Sequence, residues 1–337
     1  MLLPLPADAR KIIVAPLNWG LGHATRSIPI IRQLLSDGKE VVIASDGEAL
    51  ELLQEEFPEL ITEKLPSYEV TYKGNSLVSI VLSNVPNIIS AILREKKAVK
   101  KLVKKYKADL IISDSRFGFR SSKIKSIIIS HQLNLMSKNK ILKYFLNLAN
   151  GYFLNSFEEC WVPDDESHTW SGNLSKSKRI KNQVFLGPLS RLNKEYETQP
   201  GQSYELCIIL SGPEPARTKL ETELIDKLLY GNLYKQLKPT STADQATPRI
   251  FLIRGTTRHG RLQLPANWTV MARANSDRIN RLLLGSELII SRSGYTSIMD
   301  YAELGVGAWL IPTPGQSEQE YLAKWLTGKS GMQKLEL

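Results

Sequence analysis

A histidine that follows two glycines is the first residue whose type and position indicate chemistry. His23 comes after Gly20 and Gly22 in the string GLGHATRS, between a short apolar run and a stretch of helical periodicity. The positive end of a helix dipole disfavours a charged imidazole, so the ring stays neutral and can accept a proton near pH 7. The pattern indicates a general base; the alternative is a histidine that only hydrogen-bonds its own loop.

Polar residues also end the next two apolar runs. Asp114 closes ADLIISD, and His131 closes SIIISH just before Gln132. Because the carboxyl ends of parallel strands meet at one edge of a sheet, we expect these side chains to face one cleft. Asp114 is a second candidate for the base, or the group that orients His23, and both assignments stay open. For His131 the alternative is a buried histidine at a strand end.

The string SRSGYTSIMDYAELG, residues 291–305, contains a candidate anion site. An apolar run ends before the Ser293-Gly294 turn, and a helix is predicted after it. The unpaired N–H groups and the positive dipole end at such a helix start attract anions. Asp300 lies about one and a half turns into the predicted helix, where its carboxylate can accept hydrogen bonds from ribose hydroxyls. Glu303 is the competing choice. The ligand class indicated is a nucleotide.

Two series of alternating strands and helices must position these residues. The first begins with apolar runs at residues 12–15 and 40–44, which read as strands around a helix and form a βαβ unit. The second runs through ELCIILSG, RIFLIRG, ELIISRSG and AWLIPTPG. At 337 residues the chain is too long for one ordinary core. The polar stretch 192–204 is the predicted linker, which gives domains 1–191 and 205–337.

Composition limits where the protein acts. The two cysteines, Cys160 and Cys207, have neither metal-ligand nor disulfide spacing, and MLLPLPADARK lacks the apolar core of a signal peptide. A cytoplasmic protein is predicted. The net charge of +10 is concentrated between Arg94 and Lys107, where eight basic residues accompany the single acid Glu95. A solvated helix face or an anionic membrane surface explains this segment, and no binding module indicates nucleic acid.

The longest specific match lies in the second half. The string SRSGYTSIMDYAELGVGAWLIPTPGQSEQEYLAKWL resembles the C-terminal signature of family 28 glycosyltransferases, the MurG-like type. The strings GLGHATRSIPIIRQL, ISHQLN, LGPLSR and LSGPEPAR extend the resemblance over nearly the whole chain. It implies the GT-B fold, with two Rossmann-like doubly wound domains and an interdomain cleft. The implied activity is inverting transfer of a hexosyl group, such as N-acetylglucosaminyl, from a UDP-sugar to an acceptor hydroxyl.

The resemblance also assigns site residues. It places His23 as the catalytic base, with Asp114 beside it. The donor-binding positions it implies are Arg191, Ser211, Gly212, Ser293, Gly294, Asp300 and Gln319. The acceptor-side positions are Gly20, Gly22, His131 and Asn134. A lipid-linked acceptor, with attachment to the inner face of the membrane through the basic segment, is a further implication.

Several positions depart from the family pattern. Asp300 stands where glutamate is more frequent, and Glu320 replaces the second of two amides. Pro213 and Pro215 have no N–H to give a phosphate. Gln132 stands where an acid is usual.

Three other functions remain open on the sequence. An NAD-dependent oxidoreductase would use Gly20 and Gly22, but Thr25 and Arg26 stand where the dinucleotide fingerprint needs a small residue. A nucleotide-sugar epimerase shares the architecture without needing an acceptor site. A non-catalytic sugar-nucleotide binder would keep Asp300 and Gln319 and leave His23 free to vary. The family resemblance implies no metal, no Asp-x-Asp pair is present, and no cofactor beyond the UDP-sugar co-substrate is expected.

Overall fold

The structure is a computed structural model that describes residues 3–6, 8–68, 77–137, 139–195, 203–239, 248–256 and 263–337. The side chains of residues 77–83 lie outside this description, as do residues 196–202 of the predicted linker. The chain divides into two compact units, Met1–Arg191 and Leu192–Leu337. Each unit has its own sheet and its own core.

The first unit alternates strands with helices. Its elements are β1 (Lys11–Pro16), α1 (Leu21–Ser36), β2 (Glu40–Ser45), α2 (Gly47–Glu56), β3 (Ile61–Lys64), α3 (Leu77–Tyr106), β4 (Leu110–Asp114), β5 (Lys125–Ile129), α4 (Lys140–Leu154), β6 (Glu159–Val162) and β7 (Gln183–Phe185). Within the described residues the strands form one parallel sheet in the order β3-β2-β1-β4-β5-β6-β7. The winding reverses between β1 and β4, and open α/β sheets bind ligands at the carboxyl edge of such a reversal point.

Apolar strands covered on both faces hold this unit together. Ile12 and Val14 point to one face of the sheet and pack in the same cluster as Ile28 of α1. Ile13 points to the opposite face and packs in a cluster with Val99 of α3. This alternation within a continuous apolar run is expected of a parallel strand that is buried on both sides. It fixes where β1 ends, and so where the loop toward α1 begins.

An ion pair in the interior anchors α3 to the sheet. Glu95 is fully buried and accepts hydrogen bonds from Arg116 Nη1 at 2.9 Å and from the Gly118 amide at 3.0 Å. Arg116 also donates to Asp46 at the end of β2. The helix is continuous across Pro86. Among the described residues, no helix combines the length and the apolar character needed to cross a bilayer.

The second unit repeats this plan. Its elements are β8 (Tyr204–Ile209), α5 (Ala216–Leu229), α6 (Leu233–Leu237), β9 (Ile250–Ile253), β10 (Trp268–Met271), α7 (Ser276–Leu284), β11 (Ser286–Arg292), α8 (Tyr295–Leu304), β12 (Trp309–Ile311), α9 (Ser317–Leu326) and β13 (Gln333–Lys334). The described strands form a parallel sheet in the order β10-β9-β8-β11-β12-β13. Here the winding reverses between β8 and β11. The loops after those two strands therefore lie at the position where open α/β sheets bind ligands.

Candidate active site

His23 and Asp114 meet at the carboxyl edge of the first sheet. Strands β1 and β4 are neighbours, and Pro16 pairs in register with Asp114. The chain leaves β1, turns at Gly20 and enters α1, so that His23 in the first turn of the helix comes over the end of β4. His23 Nδ1 lies 2.9 Å from Asp114 Oδ1. The structure thus brings together the two residues that the sequence predicted for catalysis.

Arg26 joins this pair from the next turn of α1. Its Nε donates to Asp114 Oδ2 at 2.5 Å, and its Nη2 donates to Asp114 Oδ1. Its Nη1 lies 2.9 Å from Nδ1 of His131. A guanidinium only donates hydrogen bonds, so Nδ1 of His131 accepts and the ring proton is on Nε2. His131 is therefore linked to the pair through Arg26.

The Nδ1 atom of His23 lies within hydrogen-bond distance of both an acceptor and a donor. Asp114 Oδ1 at 2.9 Å can only accept a hydrogen bond, and Arg26 Nη2 at 2.8 Å can only donate one. When Nδ1 carries the proton and donates to Asp114, the lone pair of Nε2 is free to accept a proton. When Nδ1 accepts from Arg26, the ring proton is on Nε2, and Nε2 can no longer accept a proton.

Burial and the neighbouring charges together favour a neutral imidazole beside an ionised carboxylate. Burial is the main cause that lowers the pKa of His23; Asp114 opposes it and Arg26 adds to it. Burial alone would raise the pKa of Asp114, but the charges of Arg26 and His23 hold that pKa well below its usual range. The His23 side chain keeps 17% exposure, whereas Asp114 has none. The ring is therefore the part of the pair that a substrate can reach.

The turn at Gly20, before His23, leaves room for a substrate. Gly20 has a φ of 78°, in the left-handed region that favours glycine, and a Cβ built there meets no atom within 4 Å. Gly22 lies in the first turn of α1, and its carbonyl accepts from the Thr25 hydroxyl at 3.0 Å. Asn134 makes its contacts elsewhere, because its side-chain amide donates to the Asn173 carbonyl at 3.0 Å. Of the two predicted acceptor-side residues with polar side chains, His131 contacts Arg26 and Asn134 contacts Asn173.

In the second unit, two loops lie side by side at the reversal point of the sheet. Ser211 and Gly212 follow β8 and are exposed, and Gly212 has a φ of 106°. Gly294 caps α8, and a Cβ built on it meets no atom within 4 Å. The neighbouring Ser293 is fully buried, and its hydroxyl donates to the Gln319 carbonyl at 2.9 Å. Open space over the α8 start, bounded by the exposed loop, is suited to an anion.

Asp300 and Gln319 are more enclosed than the sequence pattern implies. Asp300 is the sixth residue of α8 and keeps only 8% exposure, so a ligand reaches a small part of it. Glu303 of the same helix is exposed. The amide oxygen of Gln319 accepts from the Thr313 N–H at 2.9 Å, and its nitrogen donates to Gln316 at 2.7 Å. In this arrangement Gln319 shapes the β12–α9 loop.

Two buried arginines lie near these strand ends, and the sequence analysis did not propose either of them as a site residue. In the sequence, Arg26 stands out only as a departure from the dinucleotide fingerprint. Its spacing of three from His23 nevertheless places both residues on one helix face. Arg292, at the end of β11, is buried and donates to the carbonyls of Pro312 at 2.9 Å and Ala216 at 3.0 Å. Burial lowers the pKa of Arg292. Its charge meets no carboxylate among the described residues, and so favours an anion at this edge.

The predicted donor-binding residue Arg191 contacts helix α1. Arg191 is the last residue of the first unit, and its carbonyl accepts from Arg32 Nη1 at 3.1 Å. Its predicted contact with the donor stays a prediction. In the described part of the chain, no group of three or more His, Cys, Asp or Glu residues is arranged to hold a metal ion.

Family comparisons match both units. The family described as Glycosyl transferase family 1 matches residues 11–137, and the Glycosyltransferase family 28 C-terminal domain matches residues 260–335. The first match contains His23, Arg26 and Asp114, and the second contains the turn before α8. An uncharacterized glycosyltransferase of Methanosarcina acetivorans is 23% identical over 332 residues, which covers 92% of this chain and 81% of that relative.

Solved glycosyltransferase structures resemble the whole chain. The glycotransferase of kitacinnamycin superposes with a TM-score of 0.67 at 15% identity, covering 98% of this chain and 87% of that one. Phytolacca americana UGT2, complexed with UDP-2-fluoroglucose and pterostilbene, gives 0.62 at 12% identity, covering 99% and 86%. Spinosyn rhamnosyltransferase SpnG, complexed with thymidine diphosphate, gives 0.61 at 15% identity, covering 97% and 86%. These likenesses confirm the predicted fold of two doubly wound parallel-sheet domains.

Proposed function

The chain is a family 28-like glycosyltransferase of the GT-B fold, and we propose that it moves a hexosyl group from a uridine diphosphate sugar to an acceptor hydroxyl, with inversion. The observation that carries this proposal is the 2.9 Å contact of His23 Nδ1 with the buried Asp114. It leaves a neutral, partly exposed imidazole at the ligand-binding edge of the sheet. N-acetylglucosaminyl is the first hexosyl group to test.

The proposed reaction is a single displacement. His23 Nε2 takes the proton of the acceptor hydroxyl while the oxygen forms its bond to the anomeric carbon. The bond from that carbon to the diphosphate oxygen breaks, and its electron pair leaves with the diphosphate. Asp114 stabilises the imidazolium that forms. Arg26 positions both residues and touches no reacting atom.

The second unit is proposed to hold the donor diphosphate. The Gly294 cap of α8 and the Ser211-Gly212 loop supply N–H groups, and the buried Arg292 supplies positive charge. The ribose is assigned to Asp300. Support for a nucleoside diphosphate comes from the similar structures that are described as complexes with UDP-2-fluoroglucose and with thymidine diphosphate. On this proposal the helix start and the arginines, including Arg191, act in place of a divalent metal ion.

The acceptor is proposed to be lipid-linked and the enzyme peripheral to the cytoplasmic membrane surface. The basic residues between Arg94 and Lys107 motivate this part of the proposal, since most of them are exposed on the second half of α3. Anionic lipids attract such segments by about 1 kcal/mol for each basic residue near the surface.

A panel of ligands in thermal unfolding tests the donor assignment. UDP-sugars, dTDP-sugars, GDP-sugars and NAD are each added to the full chain. A ligand present at 100 times its Kd stabilises the folded state by about 2.7 kcal/mol, so the UDP-sugar that binds raises Tm. A rise with NAD alone would reject the proposal. Release of UDP that depends on an added acceptor then separates transfer from epimerisation and from binding without catalysis.

A further inference from the structure

Helix α4 presents an apolar face that the described residues leave largely exposed. Its large apolar residues on this face are between 49% and 72% exposed and recur at helical spacing: Ile141, Tyr144, Phe145, Leu148 and Tyr152. The opposite face is buried through Asn147, Asn150 and Leu154. Single exposed apolar residues are ordinary, but a stripe of five along about three turns indicates a contact surface.

The first half of α3 continues this surface on the same side of the sheet. Ile111 packs in the α3 cluster and pairs in register with Ser126, and Ile128, two residues further on, packs with α4. Because side chains two apart on a strand share a face, α3 and α4 cover the same face. The exposed large apolar residues of α3 there are Val85, Ile89 and Leu93.

The direction of the helices places this surface near the catalytic edge. Both helices precede a strand, so each ends at the amino edge of the sheet and begins at the carboxyl edge. Ile141 and Phe145 in the first turns of α4, and Val85 in the first half of α3, therefore lie toward the edge that carries His23. Lys96, Lys100 and Lys104 continue the exposed face of α3 toward the opposite edge.

Charge decides which partner fits. No acidic residue occurs between Asp114 and Glu158, whereas Lys140 flanks the stripe and Arg179 lies 5.1 Å from the Tyr144 ring centre. Two copies joined through this face would set like charges against each other. An apolar and aromatic stripe with cationic flanks fits the interfacial layer of an anionic bilayer, where aromatic rings and lysine stems span the change in polarity.

We propose that the exposed faces of α4 and of the first half of α3 form a docking surface for an anionic phospholipid bilayer. The apolar side chains enter the headgroup boundary, and the α3 lysines contact lipid phosphates. This inference rests on the proposed function only in treating the His23 edge as the acceptor side. It shifts the main contact from the segment between Arg94 and Lys107 to α4.

Vesicle sedimentation tests the surface without any sugar donor. The full chain is mixed with vesicles of phosphatidylcholine alone or with phosphatidylglycerol added. The double variant Phe145→Ser/Leu148→Ser is expected to lose about tenfold in partition onto both kinds of vesicle, since burial of apolar side chains drives insertion. The matched control is Tyr230→Ser, which removes an 85% exposed aromatic residue from the second unit and leaves partition unchanged.

A charge variant separates the two halves of the surface. Lys96→Gln/Lys100→Gln/Lys104→Gln is expected to weaken binding to the vesicles that contain phosphatidylglycerol and to leave the weaker binding to phosphatidylcholine unchanged. Equal partition of wild type and the Phe145/Leu148 variant overturns the proposal. So does a wild-type dimer that this variant converts to monomer, because a second copy would then be the occupant.

The two proposals fail independently. UDP binding, measured by calorimetry on the Phe145→Ser/Leu148→Ser variant, is expected to match wild type, which shows that the fold is intact. If wild type does not bind UDP, the proposed donor is rejected, and the vesicle result is unaffected. Absence of vesicle binding with normal UDP binding would reject the docking surface alone.

Discussion

Arg26 holds both carboxylate oxygens of Asp114 in the interior of the first unit, with Nε 2.5 Å from Oδ2 and Nη2 donating to Oδ1. The carboxylate that orients His23 is therefore shared with a permanent cation. Such sharing weakens the pull of Asp114 on the imidazole proton and fixes the position of the carboxylate. It makes the histidine a weaker base that stays unprotonated over a wider range of pH.

Replacing Arg26 by Met tests this arrangement. The change leaves Asp114 buried without its cationic partner, which costs about 3–5 kcal/mol in the free energy of unfolding. We expect kcat/KM to fall about a hundredfold, because the dyad loses its geometry. Urea unfolding and initial rates measure the two effects. The double variant Arg26→Met/Asp114→Asn removes the stranded charge and should recover stability but not activity. Recovery of both would show that neither Arg26 nor the Asp114 carboxylate is needed for catalysis.

Replacing His23 by Ala tests the base. We expect turnover to fall by about 10²–10⁴, the usual contribution of a general base, while UDP affinity by calorimetry stays near that of wild type. The matched control is His168→Ala, in which the histidine removed has its Nδ1 2.8 Å from the Ser175 hydroxyl. That variant should keep the wild-type rate. Weak UDP binding combined with normal turnover of bound donor would contradict the assignment.

The pH dependence of kcat/KM follows from the lowered pKa of His23. The imidazole acts when unprotonated, and burial lowers its pKa below the ordinary value of 6.5. Activity should therefore persist as the pH falls below 6.5 and decline only at more acid pH. Removing Arg26 removes one cause of the lowering, so the acid limb should move to higher pH in Arg26→Met. An unchanged limb would mean that His23 is not the titrating base.

The same shift has a consequence for stability. A histidine whose pKa is lower in the folded state than in the unfolded state binds its proton more tightly when the protein is unfolded. Its contribution to the free energy of unfolding is therefore fully present above the unfolded-state pKa and is lost as the pH falls below that pKa. The free energy of unfolding of wild type should decrease below pH 6.5 more than that of His23→Ala. Urea titrations across this range measure the difference. Parallel curves would contradict the burial of the imidazole.

Replacing Asp300 by Ala tests the ribose contact. Loss of a hydrogen bond to a charged group costs about 1.5–3 kcal/mol, so we expect the Kd for UDP to rise roughly ten- to a hundredfold. Glu303→Ala, on the exposed side of the same helix, is the control and should leave the Kd unchanged. If Glu303→Ala weakens binding and Asp300→Ala does not, the ribose carboxylate is Glu303.

The sequence predicted the parts of this protein that depend on local pattern. The apolar run before Pro16 located β1, and the apolar run that ends in Asp114 located β4; these two runs gave the positions of His23 and Asp114. The sequence did not predict Arg26 and Arg292 as site residues, because their contacts are with groups that are distant along the chain. The partners of Arg26 lie 88 and 105 residues away along the chain. Spacing places a residue on a helix face, but it does not show what that face meets.

The α4 surface was missed for a related reason. KILKYFLNLANGYFL is apolar on more than one side, so its periodicity does not say which side the sheet covers. Burial resolves this, because Asn147 and Asn150 point inward while Phe145 and Leu148 point outward. Polar residues lie on the inner face of α4, where the Asn147 side-chain amide donates to the Leu135 carbonyl at 3.0 Å.

The separation of His23 from Asp114 by 91 residues also bears on how the enzyme matures. Parallel strands pair only after the intervening chain has been made and folded back, and such non-local contacts form slowly. A nascent chain that has emerged only through α3 holds its histidine without the carboxylate, since β4 is still within the ribosome. The proposed catalytic pair can therefore form only after β4 has emerged, and no N-terminal fragment that stops short of β4 can possess it.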